Sequence, residues 1–241
     1  MFTRYPYINK HWLPVARTID FKTALLVYKS LHGEAPKHIL GVIVDEKCSW
    51  KEYIDYVSKK MSKSVGIIRK VHKYLNRSGL FTLYYSLVYP YLSYCNIAWA
   101  CTFPTYLHKL HLIQKRFIRI ATSSESTATS APLFSKSKIL SIYNINTMET
   151  CIFVFKVQYQ GHTLPSHFQQ YFQNNSNIHS RTTRQSKLLH IPLCCTTRAQ
   201  FSIKYKGVTS WNKYIHLTNS SPSLPIYKRK LKDHLHSMGL S

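Results

Sequence analysis

The stretch from Glu52 to Leu75, EYIDYVSKKMSKSVGIIRKVHKYL, decides how this chain folds. Its apolar residues fall at Ile54, Val57, Met61, Val65, Ile68, Val71 and Leu75. Steps of three and four place them along one side of an α-helix, whereas a strand would scatter them over both faces. Lys59, Lys60, Lys63, Arg69, Lys70 and Lys73 fill much of the remaining surface, and Arg77 lies just beyond. A stripe of this kind needs a partner to cover it. Downstream, Ser78 and Gly79 interrupt the pattern, and Leu80 to Ala100 predicts a second helix, kinked or divided at Pro90 because proline removes an interior hydrogen bond. Pro104 suits the first turn of a third helix with the stripe Leu107, Leu110, Ile113, Phe117 and Ile120, and with Lys109, Lys115, Arg116 and Arg119 outside it. Upstream, the apolar run Leu40 to Val44 before an Asp45-Glu46-Lys47 turn reads as one buried strand.

Beyond the third helix, Ser123 to Ser130 is rich in Ser, Thr and Ala without periodicity and reads as part of a linker at 122–137. Lys138 to Tyr159 reads as helical, Leu164 to Phe172 as a short helix, and Gln173 to Thr197 as polar and irregular. Two further helices are expected within Phe201–Trp211 and Pro225–Met238. A repeat also appears. Leu13, Val15, Leu25 to Lys29, Gly33, Pro36 and His38 recur in order as Leu140, Ile142, Ile152 to Lys156, Gly161, Pro165 and His167. The expected fold is therefore mainly α: a helical bundle over 41–121 with one short strand before it, then a looser, basic helical region over 138–241. Residues 1–40 form a separate segment.

Charge narrows the function. The 241 residues hold 33 Lys and Arg against nine Asp and Glu, a formal net charge of +24. Between Asp55 and Glu125 there are eleven basic residues and no carboxylate. Ordinary solvation recruits Glu as readily as Lys, so a run this one-sided points to a polyanion, RNA or DNA, as the partner. The same scarcity of acids argues against chemistry that gathers carboxylates around paired Mg²⁺. Seven glycines form neither a dinucleotide fingerprint nor a Walker loop, and no Gly-x-Ser-x-Gly elbow exists. No catalytic residue, cofactor or small-molecule substrate is expected.

Metal ligation has three candidates, and none is compelling. Cys95, Cys101, His108 and His111 suit zinc by type, but no C-x-x-C pair nucleates a site. His32-Gly33-Glu34 and His234-Leu235-His236 each offer two ligands without an evident third. No metal is expected. Ser78 to Leu107 carries no Lys, Arg, Asp or Glu, yet it holds Pro90, Asn96 and five tyrosines between Tyr84 and Tyr94, which favours core helices over a membrane span. The first fifteen residues contain no signal-peptide block. The six cysteines show no paired framework, which fits a reducing cytoplasmic or nuclear setting. Oligomeric state is not legible.

Leu40-Gly41-Val42-Ile43-Val44-Asp45-Glu46-Lys47 with Ser49-Trp50-Lys51 resembles the end of the palm of a non-LTR (LINE-type) retrotransposon reverse transcriptase. Val57 to Lys60, Gly66 to Lys70, Leu83 to Cys95 and Gln114 to Ile120 are similar to the helical thumb region of those enzymes. Leu164-Pro165, Phe168, Arg181, Thr183-Arg184, Gly207 and Trp211-Asn212 resemble the segment downstream of the thumb. His11 to Val15, Phe21-Lys22, Tyr28-Lys29 and Leu31 to Pro36 resemble that downstream segment again, displaced ahead of the thumb, so 1–40 reads as a second retroelement piece.

The resemblance implies a thumb-like bundle that grips template and product through Lys59, Lys60, Lys63, Arg69, Lys70, Lys73, Lys115, Arg116 and Arg119. The aromatic-x-Asp-Asp motif that would make the parent family an RNA-directed DNA polymerase is absent, so no enzyme activity is expected of this chain. Residues 45–97 also resemble a stretch named after the N-terminal region of AlkB-type alkylation-repair homologues, without their His-x-Asp iron motif or a methyl-donor loop. Two alternatives stay open beside the nucleic-acid-binding remnant. One is an unfolded or unexpressed retroelement fragment with no function; the other is an alkylation-repair-like protein.

Overall fold

The computed structural model describes residues 38–39, 41–45, 47–161, 164–165, 168, 171–178, 184–218 and 223–237. The chain divides into two units, residues 1–48 and 49–241. The first copy of the repeat, and nearly all of the segment 1–40, lies outside the described residues.

In the first unit, β1 (His38–Ile39) pairs antiparallel with β2 (Val42–Ile43), His38 opposite Ile43 and Ile39 opposite Val42. The single buried strand expected over Leu40 to Val44 is shorter than that: β2 is two residues long, with Val42 buried and Ile43 half-buried, and it has a partner, β1, that the periodicity did not announce. Gly41 turns the chain ahead of β2 at φ 81°, a left-handed conformation that glycine adopts without a Cβ penalty.

The second unit is helical and begins with α1 (Lys51–Val71). Tyr53, Ile54, Val57, Met61, Val65 and Ile68 are its buried residues: Tyr53 joins the predicted stripe, whereas Val71, where the helix ends, is half-buried and Leu75 beyond it is exposed. Met61 is wholly buried, worth on the order of 2 kcal/mol relative to exposure. The helix stops at Val71, ahead of Leu75, because Asn76 already caps the next one: its Oδ1 accepts the Gly79 N–H at 2.8 Å.

The expected second helix is divided more than once, into α2 (Arg77–Leu87), α3 (Tyr89–Ser93) and α4 (Asn96–Trp99). The first break falls at Val88, two residues before Pro90, so that the proline occupies the opening turn of α3, where a missing N–H costs little. The second falls at Cys95, which is left-handed at φ 48°. Helix α5 (Pro104–Ala121) starts at its proline as expected. Four of the five residues of its predicted stripe, Leu107, Leu110, Ile113 and Phe117, are buried, while Ile120 is half-buried; His111, Gln114, Ile118 and Ala121 join them inside, because α5 is covered on more than one side: it packs against α1, α2, α6 (Ser130–Ser137) and α7 (Ile142–Tyr159).

Helix α6 occupies part of 122–137, the stretch read from sequence as a linker, and it ends at left-handed Lys138. Helix α7 is capped by Ser141, whose Oγ accepts the Asn144 N–H at 3.3 Å. It buries residues all around its circumference, among them Ile142, Ile145, Met148, Cys151, Val154, Phe155 and Val157. Such a helix belongs at the centre of a core. Around it lie α3, α4, α5, α10 (Ile203–Tyr214) and α11 (Leu224–Ser237), so these helices of the second unit share one interior. Between α7 and α10 the described chain is largely irregular, with two short helices, α8 (Asn175–Ile178) and α9 (Thr197–Gln200), and an isolated bridge between Asn174 and Leu189. Phe155, Trp211 and Tyr227 join α7, α10 and α11, with Phe155 and Tyr227 stacked at 5.0 Å and 17°.

One buried amide fastens the bundle. Gln114 of α5, 1% exposed, donates from Nε2 to the Tyr84 hydroxyl at 2.9 Å and to the Leu140 carbonyl at 3.2 Å. Its Oε1 accepts the N–H of Ile142, the first residue of α7, at 2.8 Å. Among the described residues no helix is long and apolar enough to cross a membrane.

Candidate nucleic-acid interface

Helices α1 and α5 run side by side in the same direction. Asp55 near the start of α1 pairs with Lys109 near the start of α5 at 2.7 Å. At the other end, Arg69 of the first and His72 just past its last residue meet Arg116, Arg119 and Ile120 of the second around one open cleft. Its volume is about 670 Å³, and Ser123, Ser124 and Ser126 complete the lining. Three arginines, a histidine and three serines therefore border one space, and no Asp or Glu is among its lining residues.

Both helices end at this cleft, so two macrodipoles point their negative ends toward it, roughly half a charge each. Against about one negative charge from the helix ends, and the exposed Glu125 carboxylate between Ser124 and Ser126, stand three arginines. The net field is positive. The arginines are not consumed in capping the last turn of α5, because neighbouring groups satisfy those carbonyls. The Thr122 N–H and Oγ1 donate to the Ile118 oxygen at 3.0 and 2.8 Å. Ser123 and Ser124 donate their N–H groups to the carbonyls of Ile120 and Arg119. The Arg119 Nε reaches the Ala128 carbonyl at 3.0 Å, which anchors the Ser-rich loop beside the cleft and leaves other guanidinium N–H groups for a ligand. His72 donates from Nδ1 to the Arg69 carbonyl at 2.5 Å, orienting its ring at the rim.

Of the nine basic residues proposed from sequence, the fold gathers Arg69, Arg116 and Arg119 in the cleft and distributes the rest. Lys59, Lys60, Lys63 and Lys70 are exposed on α1, with Lys60 5.4 Å from the Tyr56 ring centroid, and Lys73 is exposed in the turn after the helix. Lys115 is half-buried and close enough to His111 to disfavour its charged form. Lys109 is engaged with Asp55. His72 and the three serines are the part that sequence reading missed. A Ser-rich passage after an arginine-bearing helix is a weak signal, because the same composition serves any exposed loop.

The residues considered for metal are dispersed. Cys95 is exposed, Cys101 is buried near Asn146, and His111 is buried between Phe134 and Tyr143. Burial, then the charges of Lys115 and His108, pull the His111 pKa down to about 4. His234 faces His216 and Tyr214, with ring centroids 5.6 and 5.7 Å away. Among the described residues no three His, Cys, Asp or Glu side chains converge. His32-Gly33-Glu34 lies outside the described residues. Comparison with protein-family models, with curated proteins and with solved structures finds no match.

Proposed function

We propose that these residues hold the sugar–phosphate backbone of RNA or DNA, as a thumb-like bundle of the retroelement reverse-transcriptase kind, and that they perform no chemistry on it themselves. The observation that carries the reading is the cleft where Arg69, Arg116 and Arg119 converge with no carboxylate in its wall. Arginine suits this task because its planar fork meets two phosphate oxygens at once. The exposed lysines of α1 extend the positive surface and add affinity without register, since each acts as a hydrated point charge.

Salt dependence tests it. Anisotropy of a labelled single strand, titrated with the full chain between about 50 and 200 mM salt, is expected to show a steep linear fall of log affinity with log salt. The combined variant Arg69→Ala, Arg116→Ala, Arg119→Ala removes three phosphate contacts and is expected to lower that slope by about 2, at roughly 0.7 per contact for single strands. Far-UV circular dichroism verifies that the helices persist. Undiminished affinity and slope in a folded triple variant would overturn the assignment of the cleft.

A further inference from the structure

A second cleft, built differently, lies elsewhere in the same helical unit. Its floor is the buried trio Ile139, Leu140 and Met148. Tyr85 and Tyr89 form a wall, and the exposed Lys228 and Lys232, one turn apart on α11, stand at the rim. The volume is about 180 Å³. The tyrosines pack at angles to one another: the rings of Tyr85 and Tyr89 are tilted at 59° with centroids 5.5 Å apart, and those of Tyr84 and Tyr85 meet edge to face at 80° and 5.3 Å. Tyr84 is wholly buried and tied to Gln114, so it supports the cluster, while Tyr85 stays 44% exposed. Glu149 lies close enough to affect both Tyr89 and Lys228 and offsets part of one lysine charge, while Lys232 adds a second cation at the rim.

An apolar floor, an exposed aromatic ring and two cations at the rim match a flat aromatic group attached to an anion. We propose that this cleft takes one unpaired base of a single-stranded nucleic acid, with Tyr85 stacking on the base and Lys228 and Lys232 meeting the flanking phosphates. The volume corresponds to about six waters at their liquid density, room for one base and far too little for a duplex. Within a duplex each base is already stacked on both faces and cannot present one to Tyr85. The cleft thus gives the backbone-gripping surface a preference for single strands, a property that arginines alone do not confer because phosphates occur in both forms. The inference rests on the backbone reading for its ligand and on separate residues for its geometry.

Two strands of equal length and charge separate the ideas: an ordinary oligonucleotide and one in which the bases are replaced by abasic sites. The full chain is expected to bind the ordinary strand about tenfold or more tightly than the abasic one, the scale of one base-stacking contact. Tyr85→Ala is expected to remove that difference while leaving the abasic affinity unchanged, and Tyr85→Phe, which keeps the ring, to preserve it. The arginine triple variant weakens both strands alike. Equal binding of the two strands by the unaltered chain, or an unchanged preference in Tyr85→Ala, overturns the stacking cleft while leaving the backbone reading intact. Binding of neither strand overturns both.

Discussion

Replacing Gln114 by Leu keeps approximately the same bulk and removes every hydrogen bond that fastens α5 to α2 and to the start of α7. Three groups lose a partner: the Tyr84 hydroxyl, the Leu140 carbonyl and the Ile142 N–H. The last matters most, because it is one of the unpaired donors at a helix start, and Ser141 already serves Asn144. A buried polar group left without its partner costs about 1–3 kcal/mol. The hydroxyl and the carbonyl keep some capacity to adjust, so the sum is set at roughly 3–5 kcal/mol, less about 1 kcal/mol recovered from the more apolar side chain. Against a total stability of about 5–15 kcal/mol for a domain, that is a large fraction. At about 2–4 °C per kcal/mol for a unit of this size, the melting temperature is expected to fall by about 10 °C. Thermal unfolding followed by far-UV circular dichroism measures it. In a Tyr84→Phe background the same substitution should cost about 1 kcal/mol less, since one of the three bonds is already gone. A Gln114→Leu melting temperature within about 2 °C of the unaltered chain would refute the reasoning.

Other expectations follow from single environments. His111 has a folded pKa of about 4 against an ordinary value near 6.5. Below pH ~6.5 the unfolded chain therefore takes up a proton that the folded chain refuses, and stability drops as pH falls toward 4, by on the order of 2–3 kcal/mol. His111→Phe, which suits the neighbouring Phe134 and Tyr143 rings, should flatten the urea-denaturation profile across that window; parallel profiles would show that another group titrates. Gly207→Ala would put a Cβ 3.2 Å from atoms of Phe172 and Val154 where α10 meets α7, and is expected to destabilise by about 1–3 kcal/mol. Gly66→Ala, on an exposed face of α1 with nothing within 4 Å, should stabilise by about 0.5–1 kcal/mol. Melting temperatures that move the same way for both glycines would contradict the packing described.

The extent to which the fold could be read in advance varied with the kind of residue. The α1 stripe was legible from Ile54 to Ile68 because each apolar side chain answers the same local period. The start of α5 at Pro104 was legible because a ring-locked φ announces a first turn. The divisions at Val88 and Cys95 were only partly legible: Pro90 announced a break without saying that it would fall two residues earlier, and nothing about cysteine announces a positive φ. Helix α6 was hidden by its Ser-rich composition, and Gln114 by its polarity. A glutamine in an otherwise apolar stripe reads as an edge residue until the groups that satisfy it are known.

By itself the sequence determined the helical class, the excess of positive charge and the lack of a carboxylate cluster, since these depend on composition and on spacing within one segment. Only the tertiary structure decided which charges act together. Helical periodicity assigns Arg69 to a face of α1 and Arg116 and Arg119 to faces of α5, but says nothing of how the two helices are aligned. The parallel packing that joins Asp55 to Lys109 at one end brings the three arginines together at the other. Electrostatic attraction depends on distance in space, which separation along the chain does not encode.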